Sequence, residues 1–197
     1  PFANRHAASL RAAGVTRLNV SLDTLDAVAF REITGRDCLN DVLEGLDAAR
    51  RERFESVKVN CVVHRETPEE SVERLLQYTL ANGFILRLIE PMPVGATGRL
   101  YEFVDLNEVG ARLAARHGLV PTVAHRGPGP ARYWVTADDV PALGVITPMS
   151  QHFCAACNRV RLTVDGTLHL CLGQENRVPL GQALRAGAGD TELRRLI

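Results

Sequence analysis

The chain has 197 residues, of which 46% are hydrophobic and 23% are charged, which is ordinary for a globular protein with a real core. Lys plus Arg and Asp plus Glu each number 23, so the net charge does not suggest binding to nucleic acid or another polyanion. No apolar run of membrane-spanning length and no signal-peptide pattern is present, and the five cysteines suggest a reducing compartment. We therefore expect a cytoplasmic protein without a membrane partner.

The first part of the chain alternates between helix patterns and strand patterns. Its first predicted helix ends at Gly14, and the helix over Pro68–Asn82 has Pro at its start and Gly83 just past its end. A strand–helix–strand order of this kind predicts parallel β/α units. The predicted helices are Ala3–Ala13, Leu25–Ile33, Leu39–Arg53 and Pro68–Asn82, and the predicted strands are Thr16–Asp23, Val57–Val63 and Phe84–Glu90.

One face of each of these three strands is polar. Buried parallel strands normally read as nearly continuous apolar runs, so the polar positions need an explanation. In β/α barrels the catalytic sites lie at the carboxyl ends of the strands, and we interpret the polar face in that way. The alternatives are an exposed face or salt bridges within a sheet. The polar positions are Asn19, Ser21 and Asp23 on the first strand, Lys58 and Asn60 on the second, and Arg87 on the third.

The pattern changes after the third strand. Pro91–Gly98 is rich in turn-forming residues and is interpreted as a linker or a site loop. A helix is predicted over Asp105–Gly118, with Asp105 as its N-cap. Short strands are then predicted, so the part of the chain after Gly98 is expected to be mainly antiparallel. The strand candidates are Leu119–Ala124, Ala131–Thr136 and Gly144–Thr147, with a turn at 127–130 between the first two.

Three of the five cysteines lie in one stretch, F-C-A-A-C-N-R-V-R-L-T-V-D-G-T-L-H-L-C-L. Two residues separate Cys154 from Cys157, and thirteen separate Cys157 from Cys171. Apolar and polar residues alternate after Cys157 as in a half-buried strand, and Asp165-Gly166 is typical of a two-residue hairpin turn. The return strand would bring Cys171 back to the Cys-x-x-Cys loop, so the three thiolates can converge on one point.

Converging thiolates in a reducing compartment usually hold a metal. Three cysteines suit either an iron–sulfur cluster or a zinc ion with one further ligand. That ligand could be His169, which shares strand parity with Cys171, or His152. Cys38 and Cys61 have no metal-like spacing to the others, and we interpret them as structural thiols.

Two arginines accompany the cysteines. Arg159 and Arg161 share a face with Cys157 if the strand begins at that cysteine. A structural zinc site does not need fixed cations, whereas a bound phosphate does, because guanidinium groups match phosphate geometry. The alternative is that both arginines lie on a solvated face. Beside three metal-type cysteines we favour an anion-binding role.

The stretch Phe153–Leu172 resembles the C-terminal cluster motif of the GTP 3′,8-cyclases. These are radical S-adenosylmethionine (SAM) enzymes, lyases that begin molybdenum cofactor biosynthesis. The resemblance runs in order across nearly the whole chain, and the cysteine–arginine motif is its most specific part. The other matching segments are N-V-S-L-D-T-L-D at Asn19–Asp26, F-R-E-I-T-G at Phe30–Gly35, V-K-V-N at Val57–Asn60 and L-R-L-I-E-P-M at Leu86–Met92.

The resemblance implies an α/β fold: a portion of a partial (β/α) TIM-like barrel at 1–98, followed at 99–197 by a mainly antiparallel β domain that binds a cluster and GTP. It implies two 4Fe-4S clusters in the whole enzyme, one of which binds SAM. A homodimer is a further candidate partner. The implied ligands of the second cluster are Cys154, Cys157 and Cys171; the implied GTP contacts are Lys58, Arg87, Arg159 and Arg161; and the implied SAM contacts are Ser21 and Met92.

The sequence departs from the family in two places. The first-cluster motif Cys-x-x-x-Cys-x-x-Cys is absent, and so is the C-terminal Gly-Gly tail. We therefore expect a fragment that retains the substrate end of the enzyme and needs a missing N-terminal half as its partner. Alone, it is expected to bind GTP without cleaving SAM. The alternatives are a zinc-binding Cys₃His module and an inactive fragment.

Overall fold

The computed structural model describes most of the chain and has the mixed α/β character expected from the sequence. It divides into two compact units, Pro1–Pro91 with Tyr101–His152 and Met92–Leu100 with Phe153–Ile197. The domain boundary that we placed at residue 98 stays a prediction. The residues described are 2–93, 102, 104–122, 130–150, 157, 159–171 and 173–197, with side chains from residue 6 onward.

A six-stranded sheet forms the centre of the first unit. Its strand order is β1-β2-β3-β6-β5-β4, in which the first four strands run parallel and the last two pairings are antiparallel. The parallel part matches the predicted β/α units. The strands are β1 (Arg17–Ser21), β2 (Ser56–Val62), β3 (Ile85–Ile89), β4 (Val120–Thr122), β5 (Arg132–Val135) and β6 (Pro141–Ile146).

Five helices in the described part of this unit follow the sequence signals closely. The Asp26 carboxylate accepts the Ala29 N–H at 2.8 Å and caps the second helix, which Gly35 ends in the left-handed conformation. Asp105 caps the fifth helix through the Asn107 N–H, as predicted. The helices are α1 (Phe2–Ala12), α2 (Ala27–Thr34), α3 (Leu39–Arg51), α4 (Glu69–Ala81) and α5 (Leu106–Arg116).

The sheet buries one face and leaves the other polar, as the strand alternation predicts. Along β2 the positions Val57, Val59 and Cys61 are buried, and the intervening residues are partly exposed. Burying such side chains stabilises the fold by about 1.5–3 kcal/mol each. The apolar face packs against helix residues that are fully buried, among them Leu46, Leu75, Leu76 and Leu113.

Strand β6 departs from the expected arrangement, because it pairs with β3 in parallel. We had predicted a mainly antiparallel region after Gly98. A parallel neighbour needs a crossover, and α5 lies between β3 and β6 in the chain and contacts both strands. The antiparallel strands β5 and β4 then extend the same sheet.

The second unit contains a small antiparallel sheet, β7 (Arg161–Leu162), β8 (Leu168–His169) and β9 (Arg177–Val178), and two short helices, α6 (Leu180–Arg185) and α7 (Asp190–Leu196). The predicted hairpin is present, with Arg161 opposite His169. Its turn differs from the predicted two-residue type. Thr163 pairs with Thr167 across a longer loop in which Gly166 has a φ of 83°. A left-handed glycine closing such a loop is a common hairpin geometry.

The hairpin also differs from expectation in its burial. The apolar residues Val160, Leu162 and Val164 are 58%, 65% and 111% exposed, so the alternation does not mark a half-buried strand. The paired segments are two residues long, too short to cover an apolar face within the described part of this unit. None of the described helices is long and apolar enough to cross a membrane.

Candidate functional site

Arg87 lies at the centre of the polar face of the large sheet. Its Nε donates a 2.8 Å hydrogen bond to Oδ1 of Asn60, and its Nη2 donates a 2.5 Å bond to Oδ1 of Asn19. The three residues come from β3, β2 and β1, and the strand register places Asn60 directly opposite Arg87. Amide oxygens orient a guanidinium without neutralising it, so the positive charge stays available to an anion.

Lys58 and Tyr133 continue this face toward β5. The Lys58 Nζ lies 5.8 Å from the centre of the Tyr133 ring, within the range of a cation–π contact. Gly144, opposite both Arg87 and Tyr133 in the register, makes room for the ring. A Cβ at Gly144 would lie 2.8 Å from Tyr133 Cε1 and 3.4 Å from Arg87 Cγ. The sheet therefore keeps a lysine, an arginine and a tyrosine side by side.

A cleft of about 350 Å³ opens next to Lys58. Its lining includes Arg17, Ser56 and Pro141, which are the first residues of β1, β2 and β6. The cleft thus lies at the amino ends of the strands, whereas we expected the site at the carboxyl ends. The Ser56 hydroxyl beside it is buried and has no hydrogen-bond partner among the described residues.

Asp23 follows the carboxyl end of β1. Its Oδ1 accepts the Val62 N–H at 2.7 Å, which ties the end of β1 to that of β2. Burial raises the pKa of Asp23, and the Val62 hydrogen bond and the nearby His64 oppose that rise. Cys61 is fully buried beside it, and burial strongly raises the pKa of this thiol. A thiol that stays protonated is a poor metal ligand, which fits the structural role expected for Cys61.

Glu90 follows the carboxyl end of β3 and is 1% exposed. Its Oε2 accepts the backbone N–H groups of Met149 and Ser150 at 3.0 and 3.1 Å, and its Oε1 accepts the Ser150 hydroxyl. We had not predicted a role for Glu90. A signal was present, since a glutamate directly follows the apolar strand residues.

The cysteine hairpin is described in part. Cys157 is exposed and Cys171 is half-buried, both are free thiols, and Cys154 lies outside the described residues. The Cys171 sulfur accepts the Gly173 N–H at 3.3 Å, and such N–H···S bonds are one of the means by which proteins tune iron–sulfur clusters. Accessible, unpaired thiols with this donor fit a cluster. The described residues contain no group of three His, Cys, Asp or Glu able to hold a metal, but Cys154 is not among them.

The remaining candidate residues lie on both units. Arg159 and Arg161 are exposed on the hairpin, and Ser21 is exposed at the end of β1. Met92 is half-buried, and a Cβ at Gly173 would lie 3.3 Å from Met92 Cε, which places this methionine beside the residue that donates to Cys171. That the hairpin arginines share a cavity with the sheet cations stays a prediction, and so does the convergence of the three cysteine sulfurs.

Two family profiles match consecutive parts of this chain. The profile of the family described as Molybdenum Cofactor Synthesis C matches residues 84–197, and that of the Radical SAM superfamily matches residues 2–79. A "GTP 3′,8-cyclase" of Ectopseudomonas mendocina is 43% identical over 189 residues, which cover 94% of this chain and 57% of the relative. A "GTP 3′,8-cyclase" of Nitrobacter hamburgensis is 43% identical over 188 residues, covering 94% and 54% respectively. The chain thus spans little more than half the length of these curated relatives.

Proposed function

The chain belongs to the Molybdenum Cofactor Synthesis C family and is related to the GTP 3′,8-cyclases. On that premise we propose that it supplies the GTP-binding end of a radical SAM enzyme in molybdenum cofactor biosynthesis. The observation that carries the proposal is the cationic face built around Arg87. Two neutral amides hold the Arg87 guanidinium, and Lys58 lies on the neighbouring strand. Together these two cations suit a triphosphate or another anionic group of the nucleotide. Arg159 and Arg161 would add charge from the cysteine hairpin.

The second part of the proposal concerns a cluster held by Cys154, Cys157 and Cys171. A 4Fe-4S cluster with three cysteine ligands has one iron open to coordination by the substrate. Cys171 would bind with its sulfur already accepting the Gly173 N–H, and Cys157 is accessible to the incoming metal. We further propose that Ser21 and Met92 contact SAM, since both match SAM-contacting positions of the family that this chain resembles.

Two partner assignments belong to the same proposal. Because the relatives are longer than this chain, we propose that a segment with the Cys-x-x-x-Cys-x-x-Cys motif supplies the first cluster and covers the open edge of β1. A homodimer stays a prediction.

A zinc site is the alternative function, and one observation favours it. His169 is half-buried in β8, two residues before Cys171, and could complete a Cys₃His set. The colour of protein reconstituted without oxygen separates the cluster from the zinc site, since an iron–sulfur protein is brown and a zinc protein is colourless.

GTP binding tests the nucleotide assignment. We expect Arg87→Ala to raise the dissociation constant for GTP, because one charged hydrogen bond contributes about 1.5–3 kcal/mol, or roughly tenfold or more in affinity. Arg51→Ala is the matched control, since Arg51 lies in an exposed ion pair with Asp47 on α3, away from the polar face of the sheet. Isothermal titration calorimetry of the reconstituted chain measures both. Equal affinities for the wild type and Arg87→Ala would contradict the proposal.

A further inference from the structure

A row of basic side chains crosses the three-stranded sheet of the second unit. The strand register places Arg161 of β7 opposite His169 of β8, and it places His169 opposite Arg177 of β9. Residues directly opposite each other in an antiparallel pair project from the same face of the sheet, with Cβ atoms about 4.5–5.5 Å apart. Arg161, His169 and Arg177, which we call the basic row, therefore project together from one face.

The other face of this sheet is apolar. It carries Leu162, Leu168 and Val178, which are also opposite one another in the register. Leu168 is only 8% exposed and Val178 is half-buried, whereas both arginines of the basic row are exposed. A ligand from solution can therefore reach the row.

The two arginines of the row are not neutralised within the part of the chain that the structure describes. No carboxylate of a described residue lies within 4.0 Å of either guanidinium, and neither guanidinium donates a hydrogen bond to a described residue. Cations brought together without a carboxylate repel each other, and a bound anion removes that repulsion. Guanidinium groups match phosphate oxygens in geometry, so a phosphate group is the anion that suits the row.

Backbone contacts on both sides of the row fix the strands that carry it. Helix α6 begins one residue after β9, and the Gly181 N–H in its first turn donates to the carbonyl of Gly166 in the hairpin loop at 2.7 Å. The two backbones touch there, because a Cβ at Gly166 would lie 2.6 Å from the Gly181 Cα. On the other side, the Leu170 N–H donates to the Asn176 carbonyl at 3.1 Å and continues the β8–β9 ladder. The basic row is therefore held in register although its strands are short.

The length of the row indicates what it binds. Neighbouring strands are about 4.7–4.9 Å apart, so the backbones of Arg161 and Arg177 are roughly 10 Å apart, and the His169 imidazole supplies an N–H donor between them. Such a row suits a chain of phosphate groups better than a single one, because each guanidinium can bind different phosphate oxygens. Arg161 is already among the GTP contacts proposed above. Resting on that proposed function, we infer that Arg177 is a further nucleotide-binding residue, which binds the phosphate chain of GTP beside Arg161.

Four variants of the full chain test this role. Arg177→Ala removes the guanidinium, and Arg177→Lys keeps the charge without the planar fork. Arg161→Ala tests the nucleotide assignment itself. Arg194→Ala is the matched control, because Arg194 is an exposed arginine on α7 of the same unit. Each protein is reconstituted with iron and sulfide without oxygen. Far-UV circular dichroism reports the fold, and isothermal titration calorimetry measures the dissociation constants for GTP and for GMP.

We expect Arg177→Ala to keep the wild-type fold, since Arg177 is exposed, and to raise the dissociation constant for GTP about tenfold. The dissociation constant for GMP should rise less, because GMP has one phosphate group in place of three. Arg177→Lys should bind GTP with an affinity between those of Arg177→Ala and the wild type, and Arg194→Ala should match the wild type.

Wild-type affinity of Arg177→Ala for GTP would overturn the inference, and the result for Arg161→Ala shows whether the nucleotide assignment fails with it. Equal losses in Arg177→Ala and Arg194→Ala would also overturn the inference, because they would show a general effect of net charge. If Arg177→Ala does not fold, Arg177→Lys decides in its place. A wild-type chain that binds no GTP would overturn the proposed function and this inference with it.

Discussion

At the scale of single residues, Arg87 shows how the sheet fixes the orientation of a cation without a carboxylate. A free arginine would lose side-chain entropy on binding, which costs up to about 2 kcal/mol. Asn60 and Asn19 already fix the guanidinium through amide oxygens on two neighbouring strands. Part of that entropy is therefore lost during folding, and the arginine charge is not cancelled by a carboxylate in these two contacts.

Asp23 offers a prediction about pH at the same scale. Burial raises its pKa in the folded protein above the unfolded value of 3.8, so the folded state holds the proton more tightly. Wild-type stability then falls, relative to a neutral variant, as pH rises from that unfolded value through the folded pKa. Asp23→Asn keeps an acceptor for the Val62 N–H and cannot ionise. We expect its free energy of unfolding, relative to wild type, to increase with pH across this window.

Chemical denaturation of both proteins at a series of pH values measures that difference. Subtracting the wild type removes the contributions of the other carboxylates. A difference that is constant, or that decreases with pH, would contradict the assigned direction of the Asp23 shift.

At the scale of secondary-structure elements, Gly144 controls how β5 packs beside β6 on the polar face. We expect Gly144→Ala to destabilise the protein by about 1–3 kcal/mol, because its Cβ would lie 2.8 Å from the buried Tyr133 ring. Displacing the ring would also disturb its contact with Lys58. Gly189→Ala is the control, since its Cβ would meet nothing within 4 Å. Denaturant titration compares the two variants, and equal stabilities would show that Tyr133 moves aside without cost.

The elements that could be predicted are those with strong local signals. Asp105 was predicted to cap α5 and does so in the structure. Helix α2 was predicted from Leu25 and begins two residues later, because Asp26 caps it. The parallel pairing of β6 with β3 was not predicted, since the two strands are far apart in the sequence and no local signal links them. The prediction that the hairpin strand is half-buried was also wrong. Alternation reports which residues share a face, and it does not show whether another element covers that face.

At the scale of the whole molecule, the sequence pointed to candidate ligands and did not point to the side chains that hold neighbouring segments in place. Cysteines and arginines have recognisable spacing, and the comparisons support the family that this spacing suggested. The roles of the individual residues stay predictions. Glu90 accepts hydrogen bonds from Met149 and Ser150, which lie far along the chain, so these contacts appear only in the folded structure. The cleft beside Lys58 likewise depends on three strands that start at the same edge.

The last prediction concerns the activity of the chain as a whole. SAM cleavage in this family needs a first cluster, and the present sequence contains no Cys-x-x-x-Cys-x-x-Cys motif. Cys61 cannot replace it, because burial keeps its thiol protonated, and Cys38 is far from it in sequence. We expect the reconstituted 197-residue chain to bind GTP but to form no 5′-deoxyadenosine from SAM under reducing, anaerobic conditions.

A full-length relative serves as the positive control, and an iron–sulfide mixture serves as the blank. Product above the blank from this chain alone would contradict the prediction, whereas activity that appears only when a polypeptide with the first-cluster motif is added would support the division of the enzyme proposed above.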